Sequence, residues 1–150
     1  MPKTNNRKAE FIKSRTDLGD FYQECNNWIK FNYKFYIYGE GQGESFEEWQ
    51  KEEILADLSN KLKEFCAKSK TELIKDELLE IYRNGYPSDS LFEKPKALKD
   101  LDVLWARLRI TGKRRVIGFF DESDEKVSNV FYVVFLDKEH RFAPSRKKHT

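Results

Sequence analysis

Basic side chains are concentrated in one short stretch of the chain, and a histidine follows them. Nine consecutive residues hold five Lys or Arg and no acidic residue: Arg107, Arg109, Lys113, Arg114 and Arg115. A guanidinium can donate two parallel hydrogen bonds to a phosphate, and an imidazole gains or loses a proton near neutral pH. With His140 further along the chain, the pattern indicates a site for a phosphate-rich ligand and would allow acid–base chemistry on it.

Further charged residues extend this candidate site toward the C-terminus. From Trp105 onward the chain carries a net charge of +5, whereas the first 104 residues carry −3. Glu139 could take or give a proton beside His140. Three more candidates for phosphate contacts lie in this segment: Arg141, Lys147 and Lys148. A solvated surface is the alternative for all of these residues, because long basic side chains often cover exposed sheets and a lone histidine is often a surface or capping residue.

The composition is typical of one soluble domain. The chain has 150 residues, 39% hydrophobic and 36% charged, and lacks the run of roughly 18 apolar residues that a membrane helix needs. Its first 15 residues are polar and basic, unlike a secretory signal. Its two cysteines and two histidines lack metal-ligand spacing, and it has neither a Walker-type loop nor a dinucleotide-binding glycine motif. We therefore expect a cytoplasmic protein with no cofactor, no metal and no membrane partner.

Three β-strands are predicted around the basic residues, over 103–111, 114–120 and 130–136. They are rich in bulky apolar residues. A tight turn at 111–113 and an acidic loop at 121–129 connect them, so consecutive strands should be antiparallel neighbours.

Alternation along the first of these strands separates two faces. The even-numbered residues from 104 to 110 are apolar and suit a core against helices, whereas Arg107 and Arg109 point to the other side. Arg115 begins the next strand and should join them across the hairpin. We expect an open face, uncovered by helices, that carries two or three arginines with His140 at its rim.

Two helices are predicted before these strands. Ser45 and Ser69 each precede a glutamate three residues on, which is the capping-box pattern. The first helix should run from Ser45 to Cys66, and the second from Ser69 to the Asn84-Gly85 cap. The remaining predicted elements are a short helix at 17–30, a strand at 31–38 and one helical turn near 96–101.

This order of elements predicts an α+β fold. A strand, two helices and a three-stranded antiparallel meander should form a single domain over residues 31–142, with both helices packed on one face of a small sheet. Residues 1–30 are expected to be an N-terminal extension that is partly mobile or helical, and residues 143–150 a basic C-terminal tail.

The order strand–helix–helix–three strands is similar to that of the RelE/ParE toxin superfamily. The resemblance is closest over residues 105–119, which look like the family's central hairpin, with Arg115 as the arginine that begins the second strand. The last predicted strand, followed by His140, resembles the ribosome-dependent ribonuclease branch. The chain also resembles small bacterial proteins that end in Asp-x-Glu-His, Pro-Ser and Lys-x-His-Thr, here residues 137–140, 144–145 and 147–150.

The resemblance implies a metal-free endoribonuclease acting on mRNA. The RNA 2′-hydroxyl would attack the adjacent phosphate, Arg115 with Arg107 or Arg109 would stabilise the developing charge, and His140 or Glu139 would transfer the proton. The implied partners are RNA on the ribosome and an antitoxin protein. The chain departs from the family in its longer N-terminus, its long loop at 86–102 and its lower net charge, and Phe142 lies near the place where a tyrosine often ends the active site.

Two other functions fit the same sequence. One is a non-catalytic module that binds nucleic acid or protein through the basic face, for example in phage defence or plasmid regulation. The other is an interaction module in which the sheet edge at 31–38 pairs with a second chain or with an antitoxin strand.

Overall fold

The computed structural model describes residues 27–121 and 129–145. Most of the helix predicted at 17–30 and most of the basic tail lie outside the described residues. In chain order the elements are β1 (Lys30–Asn32), α1 (Phe46–Lys51), α2 (Leu55–Phe65), α3 (Lys70–Lys75), β2 (Leu79–Ile81), a 3-10 helix (Lys96–Leu98), β3 (Val103–Arg109), β4 (Arg115–Asp121) and β5 (Val130–Asp137).

The strands form one mixed sheet of five strands in the order β1-β5-β4-β3-β2. The β2–β3, β3–β4 and β4–β5 pairs are antiparallel, whereas β1 runs parallel to β5. The α+β class and the C-terminal meander are thus confirmed. The predicted number of strands is wrong, because β2 adds a fifth strand that the sequence pattern assigned to a helix.

Both predicted helix starts are confirmed, and both predicted ends are wrong. The side chains of Ser45 and Ser69 accept hydrogen bonds from the amides of Glu48 and Glu72. The first helix breaks at Glu53, whose φ is 61°, and resumes as α2. The second ends after only six residues, before Glu77 with a φ of 60°, and the chain then extends into β2.

The strand predicted at 31–38 is much shorter than expected. Only Lys30–Asn32 pairs with β5, and the amide of Tyr36 then donates to the carbonyl of Tyr33 in a turn. The amide of Ile37 still reaches the carbonyl of Val134, so this segment stays beside β5 without forming a regular ladder.

One face of the sheet packs against the helices, as the alternation in β3 predicts. Ala106 and Leu108 are fully buried there, together with Trp49 from α1, Phe65 from α2 and Leu73 from α3. These contacts form the main hydrophobic core.

In the part of the chain that is described, no helix is long and apolar enough to cross a membrane.

The opposite face is covered, and the expectation of an open face is wrong. Irregular segments lie across it and contribute the aromatic side chains of Tyr82, Tyr86, Phe92 and Phe142. The rings of Tyr86 and Phe142 pack 5.0 and 5.8 Å from that of Trp105, which is only 2% exposed. Aromatic residues in loops therefore cover the surface that no helix reaches.

Candidate anion-binding site

Strand register gathers the predicted cations at one end of the covered face. Arg109 on β3 lies opposite Arg115 on β4, and Arg115 in turn lies opposite Asp137 on β5. Arg107 lies two residues from Arg109 on the same side of β3. The charges of Arg107 and Arg109 act on Arg115, and the charges of Arg115 and Arg107 act on His140. We call these four residues, Arg107, Arg109, Arg115 and His140, the cation cluster.

Arg115 is buried, with 1% of its surface exposed. Its Nη1 atom donates to the carbonyls of Gly112 at 2.5 Å and Arg114 at 3.1 Å, whereas its buried Nε atom has no partner among the residues that the structure describes. Burial first, and the positive charges of Arg107 and Arg109 second, lower the pKa of Arg115 to about 10. Its guanidinium is therefore charged at neutral pH in an environment that favours a bound anion.

His140 is also buried, at 3% exposure, and neither ring nitrogen has a hydrogen-bond partner in the described part of the chain. Its φ of 60° places it in a tight turn that the Asp137 carboxylate holds, because its two oxygens accept from the amides of Arg141 at 2.9 Å and Phe142 at 2.8 Å. Burial and then the charge of Arg115 lower the pKa of His140. The ring is thus neutral at pH 7 and can accept a proton.

Tyr82 belongs to the same site and is absent from the sequence-based candidates. Burial raises the pKa of Tyr82 to about 12, and the nearby charges of Arg107 and Arg115 oppose this rise. Its hydroxyl therefore stays protonated at neutral pH. The alternation of apolar Leu79, polar Glu80 and apolar Ile81 was the available signal, but the helical interpretation of this segment concealed it.

Several other predicted site residues are already engaged or lie apart from the cluster. Arg107 is 8% exposed, and its Nε and Nη2 atoms contact a Glu80 carboxylate oxygen at 2.8 and 2.6 Å. Arg141 pairs with Glu44 and lies over the ring of Phe92, 5.3 Å from its centroid. The remaining candidates are an exposed Lys113 and a half-buried Arg114 at the hairpin tip, an exposed Glu139, and Lys147 and Lys148, which lie outside the described residues.

Glu44 fixes the turn that carries His140, and the sequence analysis missed it. Its buried carboxylate accepts from Nε1 of Trp49 at 3.0 Å and from the amide of Lys138 at 2.6 Å, and it also pairs with Arg141. Desolvation by burial raises the pKa of Glu44 despite these contacts. Because Lys138 and Arg141 flank His140, one carboxylate holds both sides of the histidine turn.

The positive charges of the site outnumber its negative charges, which favours a bound anion. Within the described residues, Glu80 and Asp137 oppose three guanidinium groups, which leaves one positive charge in excess even while His140 is neutral. Among the described residues, Arg109 and Arg115 form no ion pair with a carboxylate, and their Nε atoms are buried without partners. The described residues contain no group of three His, Cys, Asp or Glu that could hold a metal ion. The arrangement can therefore bind an anion through guanidinium groups and transfer a proton through His140.

A His140→Gln variant should lose less stability in acid than the wild-type protein. Because folding lowers the pKa of His140, the unfolded chain binds more protons below the ordinary value of 6.5, and acidification favours unfolding. Urea unfolding at about pH 7.5 and about pH 5.5 should show a larger fall in the free energy of unfolding for the wild type, by at most about 1.4 kcal/mol. The raised pKa of Glu44 affects both proteins alike, and equal falls would contradict the prediction.

No protein-family model matches the chain, and no curated protein or solved structure is significantly similar to it. Functional inference therefore depends on the geometry of the site.

Proposed function

We propose that the cation cluster binds an RNA phosphodiester and that the protein is a toxin-type endoribonuclease resembling the RelE branch. The observation that carries this proposal is the set of buried nitrogens on Arg109, Arg115 and His140 that have no hydrogen-bond partner among residues 27–121 and 129–145. Buried polar atoms normally have partners, so their presence together supports an anionic ligand at this place. A phosphate oxygen can accept from both arginines at once.

The chemistry follows from the protonation states at the site. His140, neutral at pH 7, accepts the proton of the RNA 2′-hydroxyl while that oxygen forms a bond to phosphorus. The bond from phosphorus to the 5′-oxygen breaks, the leaving oxygen takes a proton from solvent, and a 2′,3′-cyclic phosphate remains. Arg109 and Arg115 stabilise the charge on the phosphate oxygens. Glu139 is exposed, so we assign proton acceptance to His140.

The proposal predicts that His140→Gln lowers the rate of RNA cleavage by 10²–10⁴-fold, the usual contribution of a general base. Purified protein is incubated with a single-stranded RNA oligonucleotide, and cyclic-phosphate products are measured by mass spectrometry. Arg109→Gln should also lower the rate, while the matched variant His149→Gln, at the only other histidine, should leave it unchanged. Expression from a tightly repressed promoter should arrest growth, and replacing both Arg115 and His140 by alanine should abolish the arrest.

Circular dichroism of each variant separates loss of chemistry from loss of fold. Cleavage by folded His140→Gln at the wild-type rate would remove His140 from the reaction. Failure of the wild-type protein to cleave RNA, either alone or with ribosomes, would remove the endoribonuclease assignment.

One alternative is a module that binds nucleic acid without cleaving it. Arg115 and His140 are almost fully covered, so a substrate reaches them only after a change in the structure, whereas the exposed Lys113 at the hairpin tip can contact a phosphate without one. A non-catalytic module should retain RNA, with an affinity that falls steeply as salt rises, and release no product. A protein partner such as an antitoxin stays a prediction from the resemblance.

A further inference from the structure

A cleft with a volume of about 270 Å³ opens beside the cation cluster. Tyr82 connects the two, because it lines the cleft and its amide bonds to the carbonyl of Trp105 at 2.8 Å, two residues from Arg107 on the same side of β3. The chain that follows His140 forms another wall, through Ala143 and Ser145. A ligand whose anionic group occupied the cluster could therefore extend past Tyr82 into the cleft.

The walls of the cleft are held in place by contacts within the protein. The hydroxyl of Tyr86 donates to the carbonyl of Phe92 at 2.8 Å, and its ring packs edge-on against those of Trp105 and Phe142 at 5.0 Å. Across the cleft, the Asp89 carboxylate accepts from the amide of Ser145 at 3.0 Å. The cleft is thus formed before any ligand binds, which lowers the entropic cost of binding.

The chemistry of the cleft differs from that of the cluster. Tyr82 is buried, so the half-buried ring of Tyr86 provides the main aromatic surface, while Asn84 and Ser88 offer hydrogen-bond donors and acceptors at the exposed side and Asp89 is negative. The carboxylate of Asp89 disfavours a phosphate here, whereas it can accept from an exocyclic amino group. A planar heterocycle with polar edges suits these walls, since unstacked RNA bases bind to aromatic side chains and are recognised at their edges.

We infer that the cleft lined by Tyr82, Asn84 and Tyr86 binds the base of the nucleotide whose phosphate occupies the cation cluster. The inference rests on the proposed phosphate binding and names the ligand as a single unstacked nucleotide. The buried nitrogens of Arg115 and His140 supply the phosphate end, and the volume of the cleft admits one base. Asn84 is exposed at the cleft and its amide carries both a donor and an acceptor, so it can distinguish one base from another.

Calorimetric titration of the full-length protein tests this directly. The probes are inorganic phosphate, ribose 5-phosphate and the four ribonucleoside 5′-monophosphates. At least one nucleotide should bind about tenfold more tightly than ribose 5-phosphate, the effect of roughly one well-placed contact. Asn84→Ala should remove most of that difference and leave the affinity for inorganic phosphate unchanged. Asn60→Ala, at an exposed asparagine on α2, is the matched control and should change neither affinity.

The outcomes distinguish this inference from the proposed function. If phosphate and ribose 5-phosphate bind but no nucleotide binds more tightly, the base cleft is wrong and phosphate binding stands. If Asn84→Ala keeps the full preference, the cleft is not where the base is recognised. If none of the probes binds, both the cleft and the phosphate site are overturned.

Discussion

Replacing Glu44 by alanine is expected to lower the free energy of unfolding by about 3–5 kcal/mol, the usual cost of removing one partner from a buried charged network. The change leaves Nε1 of Trp49 and the amide of Lys138 without their acceptor and leaves the Arg141 guanidinium without its carboxylate. Urea unfolding followed by tryptophan fluorescence measures the loss. The effect should extend to the candidate site, because the turn that carries His140 is held on both sides by this carboxylate.

Glu47→Ala is the matched control, since Glu47 is an exposed glutamate in the first turn of α1. It should cost no more than about 1 kcal/mol, the upper range for a charge near a helix N-terminus. Nuclear magnetic resonance spectra of Glu44→Gln, a milder change, should show His140 ring signals that have shifted. Similar stability losses for Glu44→Ala and Glu47→Ala would show that the buried carboxylate does not organise this region.

Gly118→Ala is expected to destabilise the protein by about 3 kcal/mol, the upper range for overpacking a core. Gly118 lies in the middle of β4, where the register with β5 shifts between Ile117 and Gly118. An added Cβ atom would overlap the carbonyl oxygen of Tyr132 and lie 2.6 Å from Cε1 of Phe131. Because the obstacles are a strand backbone and a buried ring, neither can move without disturbing the sheet.

Gly112→Ala provides the comparison for this prediction. Gly112 has a φ of 52°, but open space surrounds its Cβ position, so only the backbone conformation is penalised. That penalty is about 1–2 kcal/mol. In thermal or urea unfolding, the Gly118→Ala variant should therefore be clearly less stable than the Gly112→Ala variant. The reverse order would contradict the close approach between β4 and β5.

The parts of the fold that could be predicted are those determined by local sequence. The C-terminal meander follows from short apolar strands joined by turns, and its observed bounds differ from the predicted ones by one or two residues. The helix starts at Ser45 and Ser69 follow from side chains that bond to amides within the same turn. In each case the residues that encode the structure are neighbours along the chain.

The parts that could not be predicted depend on contacts that are distant in the sequence. The helices end near Glu53 and Glu77, which adopt positive φ without being glycine, so no residue type marks these breaks. β2 exists because it pairs with β3, and its residues alone also fit an amphipathic helix. Tertiary pairing overrides local propensity in such segments.

The arginines and the histidine of the candidate site were predicted from the sequence, but their burial and the residues that surround them were not. Alternation in β3 and the position of Arg115 placed the arginines on one face, and the strand register shows them as neighbours. The cover over that face comes from Phe92 and Phe142, which lie in segments without periodicity. The roles of Glu44 and Tyr82 depend on distant contacts, so an isolated glutamate or tyrosine in the sequence gave no sign of them.

The parallel pairing of β1 with β5 has a consequence for biosynthesis. Phe31 lies opposite Phe131, so the first described strand hydrogen-bonds to the last described strand. A nascent chain that stops before residue 130 offers β1 no such neighbour. The five-stranded sheet can therefore be completed only after β5 has been synthesised, and bringing β1 to β5 carries the entropic cost of closing a long loop.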